Sequence, residues 1–163
     1  MIRQIICGYS PGAEMGATLA AFDYNKRIGF EAIKVRGYSE NPEAPWLEKA
    51  FGEPMVKYKL TVDAGHGVII FSPEDAKGIS ALSGICRSKG KPLWIFSHNP
   101  RTSAMKTGQW IVKNKITKLA IFGLREEKSP GIQDRTFVSV LDIIGQASVA
   151  KIVSKSSKKK ENI

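Results

Sequence analysis

Short apolar runs alternate along this chain with longer stretches whose apolar residues recur every three or four positions. The runs Arg3–Cys7, Val68–Phe71, Leu93–Phe96 and Leu119–Phe122 have the length of buried strands, and Phe30–Val35 reads as a weaker one. Between them lie helical patterns. Leu19, Ala20 and Phe22 share a face in the stretch that Gly29 closes, and Val56–Val62 reads as a short helix. Ser72-Pro73-Glu74-Asp75 caps a helix with Ile79, Leu82 and Cys86 on one side, and another runs from Ser103 to Asn114. Phe137, Val140, Leu141 and Ile144 mark the last. Strands alternating with helices predict a three-layer α/β/α fold, its mainly parallel sheet of about five strands covered on both faces. The stretch 36–54, rich in Pro, Gly and Glu, reads as irregular, with Arg36, Tyr38 and Trp46 able to line a site or, for Trp46 and Phe51, to cover a core edge.

Right-handed crossovers gather the strand exits at one edge, so Gly8–Glu14, Phe71–Lys77, Ser97–Arg101 and Gly123–Gly131 are expected to converge. The last is the best marked. After Gly123 comes the charged loop Arg125-Glu126-Glu127-Lys128, and Ser129-Pro130-Gly131 has the composition of a helix start with Ser129 as N-cap. Free amides at such a start, with the guanidinium of Arg125, suit an anion. The bland alternative is a surface pair between Arg125 and Glu126. Gly8, Gly12 and Gly16 recur every four residues, which is neither a Walker A loop nor GxGxxG. Gly12 is expected to let backbone amides approach a ligand, and Gly16 to pack on the sheet. His98 and Arg101 fall at a strand's carboxyl end, whereas His66 lies at the opposite end and reads as structural or surface, not as a ligand.

Composition narrows the class. The chain has 163 residues, 42% of them hydrophobic, so one domain over 1–150 is expected. Two cysteines in unrelated contexts argue for a reducing, cytoplasmic setting, and no run suggests a leader or a membrane span. Net charge is +10; five lysines against one glutamate place +4 of it from Lys151 onward, leaving +6 on the body. That basic end, 151–163, reads as a disordered tail.

The stretch GLREEKSPGI resembles the C-terminal signature of the molybdenum-carrier family, circularly permuted YpsA-type proteins whose pattern is roughly GPRESKAPGI. Gly123, Arg125, Glu126, Lys128, Pro130, Gly131 and Ile132 match, and Leu124 replaces a proline. The first loop, CGYSPGAEMG, is similar to the family's SGGQTGVDRA at Gly8 and Gly12, with Glu14 where Asp is usual and Tyr9, Ser10 and Pro11 replacing Gly, Gln and Thr. This resemblance implies a Rossmann-like fold related to LOG and DprA-type proteins. Taken with the converging strand exits, it points to a binding site made of Gly8, Tyr9, Ser10, Gly12, Glu14, Arg101, Gly123, Arg125, Glu126, Ser129 and Gly131, in which Arg101 comes from the strand-exit reading alone. The ligand implied is a nucleotide, molybdate or the molybdenum cofactor.

The LOG motif PGGxGTxxE is absent: KGISALSGIC stands in its place, and no Glu lies between Asp75 and Glu126. A carrier of a small anionic ligand is therefore the leading expectation, with no catalytic residue assigned. A LOG-like phosphoribohydrolase or N-glycosidase is the alternative, needing Glu14 or Glu126 as its acid. Single-stranded nucleic-acid binding through the basic tail ranks last. Further copies of the chain are admissible partners, and a membrane is not.

Overall fold

The computed structural model describes residues 1–72, 79–97 and 104–161. Six parallel strands form one sheet: β1 (Gln4–Ile6), β2 (Lys34–Ser39), β3 (Leu47–Lys49), β4 (Gly67–Phe71), β5 (Leu93–Phe96) and β6 (Lys118–Gly123). They lie in the order β3-β2-β1-β6-β4-β5. Between them run α1 (Ala13–Ile28), α2 (Pro54–Ala64), α3 (Ile79–Ser88) and α4 (Ala104–Lys113), and α5 (Ile132–Glu161) follows the last strand. This is a Rossmann-like α/β/α architecture.

Alternation along each strand sorts the core into two layers. Ile5, Ile69, Phe71, Leu119 and Ile121 face one side, where Ala17 and Ala20 of α1, Ile111 of α4 and Val140, Ile143 and Ile144 of α5 cover them. Val68, Ile70, Ala120 and Phe122 face the other, against Val62 of α2 and Cys86 of α3. Every residue of β4 is buried, the mark of a central parallel strand.

Strand order reverses between β1 and β6. The chain moves outward from β1 to β2 and β3, then returns beyond the centre to β4 and β5, and β6 fills the gap. The exit loops of β1 and β6 are therefore neighbours at the carboxyl edge, where sheets of this type leave a crevice.

Three expectations are corrected. The stretch read as irregular holds the edge strand β3, which pairs with β2 from Gly37↔Leu47 to Ser39↔Lys49. Buried Leu47 and the Arg36–Glu48 pair at 2.8 Å hold this edge strand in place. The second strand also starts later than expected, at Lys34, because Asn25 ties down the preceding turn through the amides of Ala32 and Ile33. The basic segment expected to be disordered continues α5 to Glu161. Lysine favours helix, and Lys158, Lys159 and Lys160 stand in the last turn, where cations suit the negative end of the helix dipole.

Candidate functional site

The loops after β1 and β6 are stitched backbone to backbone. Gly12 and Arg125 form an antiparallel bridge in which Ala13 N–H donates to the Leu124 carbonyl at 3.1 Å and Glu126 N–H to that of Pro11 at 3.0 Å. Gly12 has φ 126° and ψ −142°, a region open essentially to glycine, and a Cβ there would lie 2.5 Å from the Leu124 carbonyl oxygen. The Gly12 amide donates to the Gln133 side chain at 3.2 Å. Close approach is thus to the neighbouring loop, and the expected role of this glycine as a ligand cradle is not what the geometry gives. Gly16 likewise meets the backbone of α5 at Gln133, not the sheet.

The start of α5 is occupied by the chain's own carboxylate. Glu126 accepts from the amides of Gly131 and Gln133, the latter at 3.0 Å. These two amides hold its carboxyl below the usual glutamate range, and the nearby Arg135 adds to the effect. Ser129 is not the side-chain cap; its hydroxyl accepts from Arg135 at 3.2 Å, and the Pro130 carbonyl accepts from the other arm of that guanidinium. The expectation of free amides there is corrected. A carboxylate five residues ahead of Gly131 reaches back and fills the anion site that Ser129 was expected to help form.

Arg125 is exposed and faces a cavity of about 290 Å³. The apolar lining of that cavity includes Ile70, Phe122, Leu82, Ile85 and Met55. Ser10, Glu14, Lys57, Ser72 and Arg125 supply polar groups. A second hollow of about 430 Å³ adjoins it, lined by Tyr9, Ser39, Glu40, Asn41 and Glu43. Ser10, Pro11, Lys57, Tyr58 and Arg125 line both.

Lys57 Nζ lies 3.7 Å from Glu14 Oε2, with both side chains largely buried, and the Ser10 amide donates to the same oxygen at 3.4 Å. Gly8 leaves room for that carboxylate, since a Cβ would overlap Glu14 Oε2. Ser72, at the end of β4, is 2% exposed, and its hydroxyl has no hydrogen-bond partner among the described residues. A buried hydroxyl left unpaired is costly unless something else supplies the bond.

Ser10, Glu14, Gly123 and Arg125 are thus brought together at the first cavity, with Tyr9 at the second. Gly8, Gly12, Glu126, Ser129 and Gly131 support the loops without lining either hollow. Arg101 and His98 lie outside the described residues, as does most of Phe71–Lys77. Trp46 stacks edge-on with Tyr9 and Phe22, at 5.3 and 4.9 Å, and Tyr38 is buried. Arg36, Tyr38 and Trp46 line neither cavity; Phe51 is exposed, with the Lys49 ammonium over its ring at 5.2 Å.

Lys57 and Tyr58 went unmarked in the sequence, and Ser72 reads there only as a helix cap within a converging loop. A helix that follows a parallel strand begins at the carboxyl edge, so recognising β3 places the first turn of α2 beside the site. Among the described residues no three His, Cys, Asp or Glu side chains cluster as a metal would need. Cys7 is buried against the Thr18 hydroxyl, and burial pushes its thiol up to about 12, so it is no nucleophile. His66 meets Thr117 at the far end of the sheet, in line with a structural role.

A doubly wound parallel sheet with a cation-rimmed crevice where its strand order reverses is the class of protein these observations define. Within that class, the crystal structure of the protein named putative molybdenum carrier protein from Syntrophus aciditrophicus SB shares the fold. The TM-score is 0.67 at 24% identity, over 87% of this chain and 94% of that one. No family model matches the chain, and no curated protein does.

Proposed function

We propose that this protein binds and carries a small anionic ligand with a flat ring, of the nucleotide or pterin type, in the cavity between β1, β4 and β6. The observation that carries this reading is the pairing of an apolar slot with Arg125 and Lys57 at its polar side and, inside it, the Ser72 hydroxyl, which has no partner among the described residues. The apolar side chains of Ile70 and Phe122 accept a ring face; the two cations attract phosphate or an oxyanion; Ser72 and Ser10 offer hydroxyls to ring or phosphate oxygens. The name of the structural neighbour supports a molybdenum-bearing guest, which here would enter as molybdate or within a pterin, because no donor set for a bare metal ion is present among the described residues.

Calorimetric titration with AMP, ADP-ribose, molybdate and a pterin phosphate tests the proposal. Saturable heat from at least one, abolished in the Arg125→Gln/Lys57→Gln double variant, is the expected result. Absence of heat from all four rejects it.

Glu14 favours a second reading. Its carboxylate lines the cavity, whereas that of Glu126 is committed to the α5 amides. A carboxylate beside a ring slot can stabilise positive charge at an anomeric carbon, as N-glycosidic cleavage requires. Release of ribose 5-phosphate from AMP by wild type, lost in Glu14→Gln, supports cleavage; no turnover by wild type removes it.

A further inference from the structure

The outward face of α5 carries an apolar pattern that is symmetric about one residue. Val138 and Leu141 stand seven and four positions before Gly145, and Val149 and Ile152 stand four and seven after it. Steps of four and seven residues on an α-helix stay within about 40° of one line. Three of the four stand clear of the core, Val138 at 55% exposed, Val149 at 54% and Ile152 at 65%, while Leu141 is half-buried at the core's edge and packs partly against it. Gly145 is exposed at its centre, and nothing lies within 4 Å of where a Cβ would stand. A mid-helix glycine weakens a helix, so a reason for it is to be sought in what approaches from outside. The charge along this face is divided. Asp134 and Asp142 occupy its first half, and Lys155 and Lys159 its last.

We propose that α5 is the interface of a homodimer, packed antiparallel against α5 of a second copy with the twofold axis at Gly145. That arrangement sets Val138 against Ile152 and Leu141 against Val149, and symmetry repeats both contacts. The absent side chain at Gly145 lets the helices approach at the centre. Asp134 falls on the same flank as Lys155 and Lys159 of the second copy, so each helix sets one carboxylate beside two lysines of the other. An isologous contact requires this self-complementarity. An anionic membrane would attract the lysines but repel the end that bears Asp134 and Asp142, and so accounts for only half the stripe.

Sedimentation velocity on the full chain over a wide concentration range tests this. A reversible monomer–dimer equilibrium is expected. Gly145→Arg weakens it by at least about tenfold, while Gly145→Ala retains it. In Gly145→Cys, mild oxidation links two chains across the axis, with Cys7 and Cys86 too buried to compete. This crosslink keeps the test decisive where Gly145→Arg impairs folding. A wild-type chain that stays monomeric overturns the proposal, as does a dimer indifferent to Gly145→Arg. So does a monomer that sediments with phosphatidylserine vesicles.

Discussion

Gly12 faces Arg125 across a two-bond antiparallel bridge, and this one contact fixes the exit loop of the first strand to that of the last. Arg125 reaches the cavity from a backbone that is held, not from a free loop. Gly12→Ala would force a Cβ into the Leu124 carbonyl at a φ that side chains avoid. The expected loss is about 3 kcal/mol, read from urea denaturation. An unchanged midpoint would show that the bridge does not constrain the loops.

Glu126 gives the protein a specific acid sensitivity. Its carboxyl is held below the ordinary glutamate value by the Gly131 and Gln133 amides. The stabilisation is therefore complete above the unfolded value, about pH 4.3, and is lost as pH falls through the lower folded value. Thermal melts of wild type and Glu126→Gln should differ at neutral pH and converge only once pH has fallen below the lowered folded value. Parallel melting curves throughout would contradict this.

Ser72→Ala separates stability from binding. Because the Ser72 hydroxyl is buried with no partner among the described residues, its removal should leave the melting temperature equal or higher. Affinity for whichever ligand gives heat should fall about fivefold, as for one lost hydrogen bond. A lower melting temperature would mean that the hydroxyl is already satisfied in the free protein.

Both thiols should be silent in the native state. Cys7 and Cys86 are buried, and burial raises both above the usual thiol range, Cys7 to about 12. A disulfide exchange reagent should find no fast-reacting thiol in the folded chain and both after denaturation. Fast labelling of either would contradict the packing around it.

Ending the chain after Lys155 should reduce helical circular dichroism while changing stability by no more than about 0.5 kcal/mol. The residues removed lie beyond Ala147, the last buried hydrophobic residue of α5. A large loss would show that this end of the helix supports the core.

What the sequence conveyed was whatever its local pattern sets. Val68–Phe71 and Leu119–Phe122 are apolar on both faces and could only be central strands; the helix face of Phe137, Val140, Leu141 and Ile144 was equally plain. β3 escaped because it is three residues long at an edge, with Glu48 and Lys49 exposed. Its omission concealed Lys57 and Tyr58, whose position beside the site follows only once a strand precedes α2. The site residues divided for a similar reason. Arg125 and Ser10 belong to loops that topology alone brings to the crevice. Glu126, by contrast, was read as part of a ligand site when it occupies the helix start itself, a choice between self and guest that spacing does not encode.

The place of β6 between β1 and β4 has a consequence for how the chain is made. On a ribosome β1, β2 and β3 emerge first, then β4 and β5, and each group can align only with its own members. Two half-sheets then wait with bare inner edges until β6 is synthesised and inserted between them. The nascent chain is thus most exposed to mispairing just before β6 leaves the tunnel, when both inner edges are still unpaired.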